Sequence, residues 1–316
     1  MGVWNFLRRV LGQPSSGTSV NGEAAKAVHA PVAIRTHGMA ELASRLGLTI
    51  DELTQLDPQY HAFSIPKRRG GVRVINAPSA QLKMLQRRIL RRLLGGLACH
   101  AAARGFEKGQ SIVTNAQPHC GAKVLLKMDI REFFPATSAE RVREYFRRIG
   151  WDKQAADLLT RLCTHRGGLP QGAPTSPRLS NLVNHGLDAR LAGLAARLGC
   201  QYTRYADDLT FSLPADSREG IAALIRVTKR ICEELGYRLH QDRKLQIRRR
   251  YERQQVTGLV VNDAVNLPRA TRRWLRAVEH HIATGKQTTL TADQLLGWQS
   301  LRQMVQEQRP QTSPEA

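Results

Sequence analysis

The sequence predicts an α+β fold, on three observations. Residues 201–213 alternate apolar and polar side chains with strand period. Residues 39–56, 82–93 and 177–191 repeat Leu, Ile and Val at helical spacing. Gly-Gly and other turn signals join neighbouring strand-like runs as hairpins. The 316 residues allow about two compact domains, or one with lobes, and 41% hydrophobic content supports a real core.

Charge says most about partners. Lys and Arg number 48 against 26 Asp and Glu, a formal +22, which favours a polyanion held with strong salt dependence. Aromatics are only 5%, so a duplex-holding groove fits better than a chain of stacking platforms. The five cysteines, Cys99, Cys120, Cys163, Cys200 and Cys232, are scattered without a C-x-x-C pair. They support neither a zinc site nor a disulfide framework, and a reducing cytoplasm is the expected home. No window approaches the ~20 apolar residues of a membrane span. Phe6 stands where a myristoylation signal needs Ser or Thr, and Arg8 and Arg9 interrupt the apolar run a secretory signal needs.

Along the chain, residues 1–38 read as a loosely attached segment, with a Pro/Ser/Gly linker at 13–22. Leu42, Leu46, Ile50, Leu53 and Leu56 predict two short helices, the second starting at Thr49 or Asp51. Phe63-Ser64-Ile65 and Val72-Arg73-Val74-Ile75 predict a hairpin turning at Gly70-Gly71. Its tip carries Lys67, Arg68, Arg69 and Arg73 without nearby acids, which suits gripping a triphosphate. In the next helix Leu82, Leu85, Ile89 and Leu93 form the core face, and Lys83, Arg87, Arg88, Arg91 and Arg92 either follow a phosphate backbone or are simply solvated.

Residues 123–130 are an apolar run that delivers Asp129 at its end. The Gly/Pro-dense stretch from Gly168 to Pro177, holding Gln171, lets a ligand approach the backbone closely and opens a helix bearing Leu179, Leu182, Val183, Leu187 and Leu191. Two strands then flank Ala206-Asp207-Asp208. After Asn262 the chain is again helical and basic, with Arg269, Arg272, Arg273 and Arg276, and its tail from Pro310 is expected to be disordered. His280-His281 reads as a surface or core pair.

Adjacent carboxylates repel unless something positive sits beside them, and a hard divalent cation is the usual remedy. An isolated Asp-Asp could be an exposed turn. If the strand ending at Asp129 lies beside the Asp207-Asp208 hairpin, however, three acids share one place. Nucleotidyl transfer needs such a grouping, because two ions about 3.5–4 Å apart activate the attacking hydroxyl and stabilise the leaving oxygen.

Here the sequence resembles a reverse transcriptase, and the retron class in particular. The strings that carry this are Tyr205-Ala206-Asp207-Asp208 (YADD), IPKRRGGVRVINAP from Ile65, LPQGAPTSPRLSN from Leu169, the NA-x-x-H of Asn115 to His119, and the VTG of Val256, Thr257 and Gly258. The likeness covers residues 41–305. It implies a right-hand polymerase: a ferredoxin-like palm, fingers with a basic β-hairpin and a helical thumb. The boundaries expected are fingers 39–128, palm 129–261 with a fingers-contributed segment at about 150–180, thumb 262–309 and tail 310–316.

The resemblance assigns metal binding to Asp129, Ile130, Asp207 and Asp208, with Mg²⁺ as two ions and Mn²⁺ as a substitute. It assigns nucleotide contacts to Lys67, Arg68, Arg73, Phe134 and Gln171, with Phe134 excluding a ribose 2′-OH. Nucleic-acid contacts fall on Tyr205, Asn115, His119, Val256, Thr257, Gly258, Arg272 and Arg273. A lysine that protonates pyrophosphate is Lys244, unless Arg243 stands in its place. The implied activity is RNA-directed DNA synthesis from dNTPs, copying part of a cognate structured noncoding RNA (msr–msd). The copy begins at a guanosine 2′-OH and yields branched msDNA. The implied setting is antiphage defence, with an effector or toxin partner and a host RNase H, and no membrane.

A group II intron or diversity-generating reverse transcriptase is one rival, and the sequence leaves no room for the added endonuclease domain of the first. A non-catalytic RNA-binding scaffold for an effector is the other, though it would need neither three acids nor Phe134.

Overall fold

The structure is a computed structural model that describes residues 36–67, 70–240 and 245–308. The chain divides into two units, Met1–Thr36 and His37–Ala316. Residues 1–35 and 309–316, which hold most of the expected loose segment and the whole expected tail, lie outside the described residues. The secondary structure of the described residues belongs to the second unit.

Helices α1 (Met39–Leu46) and α2 (Ile50–Gln55) form where expected, the second opened by a capping box between Thr49 and Glu52. Strands β1 (Tyr60–Pro66) and β2 (Val72–Pro78) pair antiparallel, and Gly70 and Gly71 take φ of 89° and 81° at the tip. Helix α3 (Ala80–Ile89) continues into a π-helical turn at Leu90–Leu94. Its basic face does not all point to solvent. Arg88 and Arg92 donate to the carbonyls of Leu46 and Arg45 at 3.4 and 3.0 Å. Those cations cap the C-terminus of α1, where the helix dipole favours them.

A short helix α4 (Ile112–Ala116) runs into a 3₁₀ turn at Gln117–His119. Then come β3 (Val124–Asp129), α5 (Phe133–Ala136), α6 (Ala139–Arg148), α7 (Lys153–Cys163), α8 (Ser176–Val183) and α9 (His185–Arg197). Strands β4 (Gln201–Tyr205) and β5 (Asp208–Leu213), helix α10 (Arg218–Glu234) and strand β6 (Gln246–Arg249) come next. A small hairpin, β7 (Gln255–Val256) and β8 (Leu259–Val260), leads to α11 (Arg269–Ala283) and α12 (Ala292–Glu307).

The main sheet has the order β4-β5-β3-β6 with every pair antiparallel. With its intervening helices this is the βαββαβ arrangement. Because side chains alternate along a strand, the register divides the sheet into two unlike faces. Val124, Leu126, Met128, Leu209, Phe211, Leu213 and Tyr202 are buried against Leu187, Leu191, Leu224 and Ile231 of α9 and α10. The opposite face carries Lys127, Asp129, Asp208, Thr210, Ser212, Thr203 and Tyr205.

Two further cores flank the sheet. One joins α1–α3 to α6–α8, so residues 142–183 pack with residues 42–94. The other joins α4, Leu125 and the β7–β8 hairpin to α11 and α12. No helix among the described residues is long and apolar enough to cross a membrane.

His119 ties the polar face together. It is fully buried, with Nδ1 2.9 Å from Ser212 Oγ and Nε2 2.8 Å from Thr203 Oγ1. Burial, aided by Arg104 and Lys127, lowers its pKa to about 3. The folded state therefore keeps the ring neutral while the unfolded chain takes up a proton below the ordinary His value of about 6.5. Stability from this group is complete above that value and is lost as pH falls toward about 3. Urea unfolding at about pH 7 and about pH 5 should show a loss of about 2 kcal/mol that His119→Gln, which keeps an amide for the two hydroxyls, removes.

Candidate active site

The pairing register brings two of the expected acids face to face. Asp129 and Asp208 are directly opposed at the end of β3 and the start of β5, which places their Cβ atoms about 4.5–5.5 Å apart on one face. Asp207 sits in the two-residue turn between β4 and β5, and its carbonyl accepts from Ile130 N at 3.0 Å. The N–H and C=O of an extended residue lie on the same strand edge, so the Ile130 carbonyl also lies toward this turn.

Like charges directly opposed destabilise a sheet, and Asp129 is only 7% exposed. His240 stands beside it: its backbone N–H donates to the Asp129 carbonyl at 2.9 Å, and its Nε2 lies 3.4 Å from the Asp129 carboxylate. Among the described residues, no three His, Cys, Asp or Glu side chains already converge as a metal-holding group. Hard carboxylate and carbonyl oxygens at one sheet end are nevertheless the donor type that Mg²⁺ or Mn²⁺ takes. The donor chemistry fits.

The turn is held from beneath. Ala206 has φ of 56° while Asp207 stays out of that region, the pattern of a II′ hairpin turn with Ala where Gly is usual. Arg204, on the apolar face two residues before, is 0% exposed and is gripped bidentately by Asp188 of α9, also 0% exposed, at 2.8 and 2.6 Å. Its remaining nitrogen, Nη1, donates to the Ala206 carbonyl and to Asn181 Oδ1, each at 3.1 Å. Burial works against the Arg204 charge, but Asp188 outweighs it and holds the guanidinium protonated more firmly than usual. Asn181 Nδ2 donates to the Gly105 carbonyl at 2.7 Å. A Cβ on Gly105 would stand 2.8 Å from Ala206 N, so only glycine lets this segment lie against the turn.

Backbone hydrogen bonds join the segments that carry Phe134 and Gln171 to the hairpin that carries Arg73. Phe134, on α5, is half-buried, and its carbonyl accepts from Leu169 N at 3.2 Å. The same loop reaches β2 through Asn76 N to the Gln171 carbonyl at 2.8 Å. Gly172 lies against Asn76 and Ile75, where a Cβ would meet backbone oxygen at 2.8 Å. Arg73 shares the Ile75 face of the hairpin, and Lys67 is exposed at its tip. Arg68, Arg243 and Lys244 lie outside the described residues.

The NA-x-x-H and VTG strings are buried only in part, with Thr257 half-buried and Gly258 exposed. Asn115, His119 and Val256 are buried, and the Asn115 amide makes no hydrogen bond to the described residues. None of the three offers a side chain to a nucleic acid at the surface. Thr257 and Gly258, at φ of 47° and 87°, form a tight I′ turn, and Thr257 Oγ1 donates to the Ile112 carbonyl of α4 at 3.0 Å. The VTG turn thus grips the helix that carries NA-x-x-H. Arg272 and Arg273 are exposed on α11.

Sequence reading missed Arg204, Asp188, Asn181, Gly105 and His240. A charge at each of two core-face positions, beside Tyr202 and beside Leu187, was the available signal for the first pair.

Residues 65–261 match the family described as Reverse transcriptase (RNA-dependent DNA polymerase). The chain is 38% identical to the retron Mx162 reverse transcriptase of Myxococcus xanthus, over 80% of this chain and 61% of that protein. It is 41% identical to the retron Mx65 reverse transcriptase of the same organism, over 71% of this chain and 56% of that one. The chain thus spans less than two thirds of the length of either Myxococcus relative. Against the retron Ec86 reverse transcriptase of Escherichia coli it is 35% identical, over 85% of this chain and 84% of that protein.

Removing one partner of a buried ion pair leaves the other unpaired and costs about 3–5 kcal/mol. Asp188→Ala should lower unfolding free energy by that amount in urea titrations, and Asp188→Leu combined with Arg204→Met should lower it less. A loss under about 1 kcal/mol for Asp188→Ala would show that the pair does not hold the layer.

Proposed function

The chain belongs to the reverse transcriptase family, in its bacterial retron branch, and on that premise we propose that it is an RNA-directed DNA polymerase. It copies part of a cognate structured noncoding RNA (msr–msd) into msDNA, starting from a guanosine 2′-OH and using dNTPs. The observation that carries this reading is the opposed Asp129 and Asp208 with Asp207 at the adjoining turn. A pure RNA-binding scaffold has no use for that repulsion.

The acids and the Ile130 carbonyl would hold divalent ions, Mg²⁺ first, which when bound activate the attacking hydroxyl and stabilise the leaving oxygen. The protein's own groups do the rest. Arg204 and Asn181 set the turn that presents Asp207. Phe134 excludes a ribose 2′-OH, and the loop at Gln171 binds the incoming nucleotide where it meets β2. Lys67, Arg68 and Arg73 take the triphosphate, and Lys244 protonates the departing pyrophosphate.

In this reading residues 39–128 are fingers, 129–261 palm and 262–309 thumb, with 150–180 contributed to the fingers. Arg272 and Arg273 hold the template–primer duplex against a chain of net +22. The setting is cytoplasmic antiphage defence with an effector partner and a host RNase H. An intron or diversity-generating enzyme fits less well, since the relatives matched are named as retron enzymes.

Asp207→Asn combined with Asp208→Asn should abolish dNTP incorporation on a primed RNA template, measured by extension of a labelled primer, and leave RNA affinity unchanged. Undiminished synthesis by the double variant would remove the site assignment.

A further inference from the structure

Beside the acid turn stands an aromatic residue to which the polymerase reading gives no role. Phe106 is 45% exposed and has φ of 63°, a backbone region that bulky side chains avoid. Its neighbours impose that conformation. Arg104 N donates to the Arg204 carbonyl at 2.8 Å. Gly105 is pinned by Asn181 and by its close approach to Ala206. Glu107 is held by Asn181 at 2.7 Å and by Arg178. With both sides anchored, the chain holds Phe106 in this left-handed conformation, with nearly half of the residue exposed.

The Phe106 ring completes a row. Its centroid lies 6.0 Å from that of Phe134 and 6.4 Å from that of Tyr205, tilted by 39° and 40°. The row runs from the strand that leads into Asp207 to the helix that follows Asp129. An exposed phenylalanine alone means little. One held in left-handed backbone is different, because such strain persists where a ligand is clamped. A flat apolar ring with one face open suits the sugar and base of a nucleotide, which every base can offer and which aromatic rings hold by stacking.

We propose that Phe106 is a nucleotide-binding residue, whose open ring face packs against the sugar and base of the deoxynucleotide held over the acid end, between Tyr205 and Phe134. The proposal rests on the polymerase reading above.

The test is steady-state dNTP incorporation by full-length protein on a primed RNA template, for wild type, Phe106→Ala, Phe106→Gly and Phe106→Tyr, with unfolding midpoints measured alongside. Phe106→Ala and Phe106→Gly should raise KM for dNTP about tenfold with kcat changed far less. Phe106→Tyr should restore the wild-type KM. Glycine relieves the left-handed strain, so Phe106→Gly should unfold no earlier than wild type, which separates loss of the ring from loss of the fold. An unchanged KM in the Ala and Gly variants, a fall confined to kcat, or no restoration by tyrosine would overturn the proposal while leaving the polymerase reading intact. Wild-type protein that incorporates no dNTP overturns both.

Discussion

The acid end of this protein depends on one buried ion pair, Arg204 with Asp188. Two charges wholly out of water carry a desolvation cost of several kcal/mol each, which their attraction offsets only with good geometry and further hydrogen bonds. Here both conditions are met, with two short contacts to the carboxylate and two more donors placed on Asn181 and Ala206. An apolar pair of the same volume would pack α9 against the sheet about as well. It would not reach the Ala206 carbonyl, and the turn carrying Asp207 would lose its support. The guanidinium also lies 5.4 Å over the Phe133 ring, next to Phe134. One side chain thereby links the turn and the helix on either side of the site.

Above that layer, strand register decides the chemistry. Side chains alternate with period two, so placing Leu126, Met128, Leu209 and Phe211 on the helices forces Asp129 and Asp208 onto the other face, opposite one another. A slip by one residue would bury both acids in the apolar layer. The same burial that stabilises the sheet therefore aims its carboxylates, and their mutual repulsion makes the place receptive to cations.

Much of this was legible in the sequence, because it rests on local pattern. The helices at 39–55, the Gly-Gly hairpin, the strand ending at Asp129 and the helix opened near Pro177 all come from spacing and turn chemistry. What was not legible depends on partners far apart in the chain. Arg204 sits at a core position in plain view, but its role needs Asp188, sixteen residues earlier, and Gly105, far earlier still, to arrive at the same turn. The helix spacing did not show that Arg88 and Arg92 also meet the end of α1. His119 and Val256, short signatures at the sequence level, are buried, and His119 joins two hydroxyls of the polar face. The left-handed backbone of Phe106 is a matter of the sign of φ, which a Gly-Phe dipeptide does not reveal.

A site that builds DNA on a cognate RNA leaves its product with the protein. Sequencing the nucleic acid that copurifies from the native host should recover short single-stranded DNA joined through a 2′–5′ linkage to RNA encoded beside the gene. RNA recovered with no attached DNA, from protein that also extends no primed template, would rule out DNA synthesis at this site.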